Sequence, residues 1–453
     1  MNQNLWDEIQ QLDFDNPPSE YCFSIRLANE NYWTKNFTDE AILEYRKFMY
    51  MAATSNHMVS PSEIVDAVWH QHLIFTQSYQ DFCAVLGKQI QHVPSTHTRE
   101  EFSTFKQAKE RTRQLYEENF GAPPHNIWGY SDMYESLHLP KAKLKIRGFI
   151  LIGILMIVLL IVPFYYLLRP VYVTMDNPYF MIGFVLLIIA SIAALEIFNR
   201  NRLRQIVKRF DKYSFIYHLQ PAELIYLKTQ DLSQVINGTV NELVENETIH
   251  VHHDGTLELA KNGNTHYIEQ LQITSTLSER GRISYPMLLY TLRLKPVFRN
   301  ASNCMDAFQK YFVKSKAFGR VFYINFGVFA VLFLIGFVRL TTGLLRDKPV
   351  TQIAIAIIAL VIVFIFLLNR LTRLVCTDII PQQYRRELLP AGQMNHSRWK
   401  YFLFGTAVLV PAFAPLTKPQ QRYGDETDSG SNSCGSSCGA SCGSSCGGCG
   451  GGD

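Results

Sequence analysis

At 453 residues and a formal net charge of +4, the chain has room for roughly two or three soluble units besides a membrane part. The charge is unevenly spread: residues 1–140 carry a net −9 and residues 141–210 a net +8. Four apolar runs, 149–168, 179–198, 321–338 and 350–368, contain no charged residue except Glu196, and this excludes a wholly soluble protein.

From the N-terminus, the opening segment is polar and acidic and does not read as a cleavable leader, so the first apolar run is expected to act as its own insertion signal. Residues 1–140 read as mostly helical. Thr38, Asp39 and Glu40 look like one helix start. Ser60 as N-cap, Pro61 at the first helical position and Glu63 after it predict a second helix that runs unbroken to Gly87. A third helix is expected over residues 99–119, ending before Gly121 and the Pro123–Pro124 pair.

The second of these helices carries the most unusual composition. On a 3.6-residue wheel Glu63, Asp66 and His70 share a face, whereas His72 falls with Val65, Val68 and Trp69. The two histidines of the Trp69-His70-Gln71-His72 run therefore point about 200° apart and do not chelate one ion together. Two readings stay open. In one, Glu63, Asp66 and His70, with Tyr79 or Cys83 nearby, make a metal or acid–base site. In the other, His72 packs beside Trp69 and His70 pairs with Asp66 for structure alone.

The run from Val65 to Leu73, with its D-x-x-W-H-x-H pattern at Asp66, Trp69, His70 and His72 and with Tyr79 and Cys83 following, resembles the glycine-rich domain-containing protein-like family over about residues 35–130. That resemblance implies a scaffold or interaction role and brings no enzymatic activity.

Lys and Arg crowd the outer flanks of both apolar pairs: Lys141, Lys143, Lys145 and Arg147 before the first run, and Arg200, Arg202 and Arg204 after the second. Lys314, Lys316 and Arg320 precede the third run, and Arg370 and Arg373 follow the fourth. The positive-inside rule then predicts two hairpins with the N-terminus, the inter-hairpin unit and the C-terminal side in the cytoplasm of a cell (inner or plasma) membrane. Arg339, Arg346 and Lys348 in the second outer loop run against this pattern.

Between the hairpins, helices are expected after Pro221 and after Asp231, then a β-hairpin about Asp254-Gly255, the outline of a winged helix. Its second helix carries Asp231, Glu242, Glu245 and Glu247 and no cation, so nucleic acid is not the expected partner. His250, His252 and His253 read as exposed strand residues. After the fourth run comes a short apolar stretch, 401–416, expected to be interfacial or re-entrant.

The tail, 429–453, is Gly/Ser-rich, with Cys434, Cys438, Cys442, Cys446 and Cys449. Such a composition builds no core, and the thiols form a plausible ligand set for Zn²⁺ or Cu⁺. Residues from about 200 onward resemble a bacterial family of multi-pass membrane proteins with a Cys/Gly-rich C-terminus. That resemblance rests on the paired runs, the segment 219–244 and this tail.

The expected fold class is an α-helical polytopic membrane protein with four transmembrane helices in two hairpins. A helical cytoplasmic domain (1–140) precedes hairpin 1 (147–200), and a small winged-helix-like α+β domain (201–318) precedes hairpin 2 (319–370). A juxtamembrane segment (371–428) and the tail follow. No phosphate-binding Gly loop, nucleophile elbow or His-Glu-x-x-His motif occurs. The expected function is a non-enzymatic scaffold or sensor in the lipid bilayer, with a protein partner at its acidic units. The alternatives are metal binding by the tail and an enzyme centred on Glu63, Asp66 and His70.

Overall fold

The computed structural model describes residues 1–16, 19–92, 99–260, 265, 267–388 and 396–418, with side chains of 99–104 excepted. The five tail cysteines lie outside the described residues. Residues Met1–Thr417 form one compact unit.

The N-terminal part contains α1 (Gln3–Gln11), α2 (Phe23–Asn31), α3 (Lys35–Thr54), α4 (Glu63–Ile74), α5 (Thr76–Leu86), α6 (Arg99–Phe120) and the single turn α7 (His125–Trp128). Three features depart from the sequence reading. Helix α3 starts at Lys35, after Thr34, so Thr38, Asp39 and Glu40 lie within it. The cap of α4 is Ser62, whose hydroxyl accepts from the Val65 N–H at 3.2 Å, instead of Ser60. The expected single helix to Gly87 is broken at Phe75 (ψ 65°). No Gly or Pro marks that break. Packing causes it, since turning the chain there sets the Phe75 ring edge-on to Phe23 at 5.7 Å.

Glu44 on α3 shows how this part is tied together. Its side chain is buried and receives hydrogen bonds from Lys47 Nζ (2.7 Å), the Tyr116 hydroxyl (2.8 Å) and Trp128 Nε1 (2.7 Å). A buried carboxylate costs several kcal/mol unless it is paired in this way. One group thus holds α3, α6 and α7 in register.

Two long helices follow, α8 (Ile146–Thr174) and α9 (Asn177–Val207). The next part comprises α10 (Pro221–Thr229), α11 (Leu232–Glu245), β1 (Ile249–Val251), β2 (Thr256–Leu259), α12 (Ile268–Arg280), β3 (Ile283–Ser284), α13 (Tyr285–Leu294) and α14 (Pro296–Val313). The strands form an antiparallel sheet in the order β1-β2-β3, with His250 opposite Glu258. His252 pairs with Glu258 at 2.8 Å. Helix α11 lies in the middle of this part, with residues from Val235 to Asn241 buried.

The apolar stretch 401–416 packs on the inter-hairpin part. A helix, Ser397–Phe404, and the turns after it lie across α10 and α11, burying Tyr401, Phe402, Leu409 and Phe413. Asn241 Oδ1 accepts from the Val410 N–H at 2.7 Å, and Lys228 donates to the Phe402 carbonyl at 2.9 Å. Gly238 permits the approach, because a Cβ there would lie 2.9 Å from the Tyr401 ring. The stretch is apolar because it fills a protein core.

Helices α8, α9, α15 (Lys316–Leu344) and α16 (Thr351–Leu374) are all long and apolar enough to cross a membrane. Helix α15 is central and packs against the other three. Gly153 lets α8 close on it, since a Cβ there would sit 2.5 Å from the Phe326 ring. Asn199 and Asn325 exchange reciprocal amide hydrogen bonds of 2.9 and 2.7 Å and are both buried, so neither faces lipid unpaired. Two cations near the turn between α15 and α16 also have partners. Arg339 donates to the carbonyls of Tyr172 (2.6 Å) and Met175 (3.1 Å), and Arg346 to that of Val173 (3.3 Å), at the C-terminal end of α8.

The N-terminal and inter-hairpin parts meet at Glu223. This carboxylate is 2% exposed and accepts from the backbone N–H of Lys35 (2.8 Å) and of Gln220 (2.7 Å), closing the capping box of α10 and tethering the start of α3. Burial pushes its pKa from 4.5 up to about 7, against the pull of the two N–H groups. A raised folded-state pKa gives a contribution that is full below about pH 4.5 and lost as pH rises through about 7. In Glu223→Gln this part of the pH dependence is expected to vanish, flattening the fall in stability over that window by on the order of 2–3 kcal/mol. Unfolding of both proteins in detergent across the window measures it, and identical slopes would refute the assignment.

Candidate metal centre

Helix α4 displays two faces. Val65, Val68, Trp69 and His72 are buried, whereas Asp66 and His70 lie on the outer side. His72 is enclosed by the rings of Phe14, Phe23, Tyr45 and Phe82. Its Nδ1 lies 2.9 Å from the Tyr45 hydroxyl and its Nε2 3.0 Å from the Ser78 hydroxyl. Burial, with Arg46 nearby, pushes its pKa down to about 3, so it is a neutral hydrogen-bonding core residue.

On the outer side a third group joins Asp66 and His70, and the sequence reading did not include it. After α5, Gly87 takes a left-handed conformation (φ 67°) and turns the chain back toward α4. Lys88 clamps the return by donating to the carbonyls of Ala52 and Ser55, each at 3.0 Å. The Tyr79 hydroxyl donates to the Ile90 carbonyl and accepts from Trp69 Nε1 at 3.1 Å. Two residues on, His92 lies edge-to-face against Trp69 at 4.6 Å.

His92 Nε2 is then 2.9 Å from both His70 Nε2 and Asp66 Oδ1, and His70 Nε2 is 3.7 Å from Asp66 Oδ2. Asp66 and His70 are one helical turn apart, which the sequence showed. His92 is 22 residues beyond His70, and only the turn at Gly87 and the buried Ile90 signal its return. Glu63, by contrast, is exposed in the first turn of α4 and is not part of the converging group. Tyr79 and Cys83 are buried, so of the remaining sequence candidates Tyr79 supports the site from behind and Cys83 lies in the core.

Hydrogen bonding alone satisfies this triangle poorly. If His92 Nε2 carries a proton, that proton serves Asp66 and leaves His70 Nε2 with at best a shared contact. If His92 Nε2 is unprotonated, it accepts from His70 but turns a lone pair toward the carboxylate. A cation facing all three lone pairs removes the conflict. Tetrahedral bonds of zinc to nitrogen and oxygen imply ligand–ligand edges of about 3.3 Å, and one ligand atom from each of the three residues lies within 4.8 Å of the others. Two imidazoles and a carboxylate suit a first-row divalent ion better than Mg²⁺ or Ca²⁺. With His70 59% and Asp66 39% exposed on their side chains, a fourth position opens to solvent.

A family model described as UCP032817-like matches residues 25–118, a stretch that contains all three ligand groups and Tyr79. No curated protein and no solved structure matches the chain.

Tyr79→Phe removes the hydroxyl that fixes Ile90 and receives Trp69 Nε1. Such outer support typically sets 10–100-fold in metal affinity, so this variant is expected to bind Zn²⁺ about tenfold or more weakly while keeping its helical content. Isothermal titration with circular dichroism checks both.

Proposed function

We propose that this protein is a membrane-anchored, non-enzymatic sensor or scaffold whose N-terminal part binds a divalent metal, zinc by preference, through Asp66, His70 and His92. The convergence of these three ligand atoms carries the reading. Binding is favoured over catalysis because the group sits at the surface, where a reacting substrate would remain in water. The N-terminal and inter-hairpin parts face the cytoplasm of a cell membrane in this reading, as the positive-inside rule predicts.

The resemblance of the Asp66–His72 pattern to the glycine-rich domain-containing protein-like family fits a partner-binding role. So does the acidity of residues 1–140, which suits a protein partner more than nucleic acid. If the inter-hairpin part is a divergent winged helix, its second helix serves as a core element, with Arg398 paired to Glu242 at 2.5 Å across it. The tail cysteines form a separate, softer ligand set for Zn²⁺ or Cu⁺.

Zinc titration of the full-length protein, purified under reducing conditions and stripped of metal, tests the reading. One equivalent is expected to survive replacement of all five tail cysteines by Ser and replacement of Glu63 by Gln. Asp66→Asn, His70→Ala or His92→Ala is each expected to weaken it by about a hundredfold or more. Retention of that equivalent in His92→Ala would sink the proposed site, and its loss with the tail cysteines alone would move metal binding to the tail.

A further inference from the structure

The two flanks of the helix bundle handle their charges differently. Where α9 and α16 leave the apolar zone, the charges neutralise one another. Glu196 receives Arg200 at 2.6 Å and Arg370 at 2.7 Å, and Arg200 also meets Asp378 at 2.5 Å. Where α8 and α15 enter it, they do not.

Here a short antiparallel bridge joins Lys141 to Ser315. The Ala142 N–H donates to the Lys314 carbonyl at 2.9 Å and the Lys316 N–H to the Pro140 carbonyl at 2.8 Å. Below the bridge, Phe149 stacks on Tyr323 at 4.0 Å, and the Tyr323 hydroxyl donates to the Leu144 carbonyl at 3.0 Å. The first turns of the first and third long helices are thereby held side by side. Lys141, Lys145, Arg147, Lys314, Lys316 and Arg320 lie in or beside these first turns and the bridge, all exposed. None has a carboxylate partner among the described residues.

These cations flank the positive ends of two helix dipoles, where anions, not cations, are favoured. Immediately beyond lie Leu151, Ile152 and Leu155 of α8, all exposed and apolar. The matching ligand therefore carries a negative headgroup and a hydrocarbon tail. We infer that the bridged entry of α8 and α15 is a binding site for an anionic phospholipid, its phosphate among these cations and its acyl chain along the outer face of α8. The inference does not depend on the metal site.

The test uses the full-length protein in phosphatidylcholine nanodiscs with or without phosphatidylglycerol, with retained lipid read by native mass spectrometry. Wild type is expected to retain phosphatidylglycerol over phosphatidylcholine. A quadruple variant, K141Q with K145Q, K314Q and K316Q, is expected to lose that preference about tenfold or more. The corresponding four Lys→Arg changes and the control K208Q with R209Q are expected to keep it. Equal retention by the wild type and the Gln variant would overturn the proposal. So would displacement of the lipid by millimolar inorganic phosphate, which would mark a site for soluble anions. Circular dichroism of the exposed-lysine variants separates loss of binding from loss of fold.

Discussion

The rings of Phe308, Phe312, Phe318 and Phe322 follow one another at 6.2, 5.8 and 6.3 Å, running from α14 into α15. All four are buried, and they belong to the same apolar core as the N-terminal aromatic cluster. Only a two-residue break, at Lys314 and Ser315, separates the two helices. Ser315 is buried and caps α15 by accepting from the Phe318 N–H at 3.1 Å. The central helix of the bundle is thus an extension of the soluble core. Each of these ring contacts contributes about 0.5–1.5 kcal/mol beyond area burial. Together they set the direction in which α15 leaves the soluble parts, and α8, α9 and α16 then pack on α15.

Several buried polar side chains inside this framework follow one rule, that a buried polar group is tolerated when its partners are complete. Glu44 and the Asn199–Asn325 pair obey it fully. Glu223 obeys it with backbone donors alone, which fix its position without supplying a neutralising charge. That difference makes Glu223 sensitive to pH and places the sensitivity where α3 meets α10.

The Asp66–His70–His92 cluster and the bridged helix entry are of a different kind. Three potential ligand atoms converge in the one, and cations flank two joined helix starts in the other. Their supporting contacts are well made: Trp69, Tyr79 and Ile90 behind one, Phe149 and Tyr323 beneath the other. Rigid support of this kind is what a preorganised binding site requires.

Much of this was readable from the sequence because it is local. Twenty apolar residues in a row, a Gly or Asp at a turn and a shared face for Asp66 and His70 all depend on neighbours within a few residues. Hence the four long helices, the β1–β2 hairpin and two of the three converging side chains were legible. Tertiary structure decided what depends on distant partners. The break at Phe75 answers to Phe23, and the burial of 401–416 answers to α10 and α11. His92 came to face Asp66 and His70 because Tyr79 holds Ile90, and Lys141 came beside Ser315 across more than 170 residues. A chain's periodicity records which face of an element is apolar, but not what that face will meet. Only long-range packing supplies the partner, and in this protein it makes both the Asp66–His70–His92 cluster and the bridged helix entry.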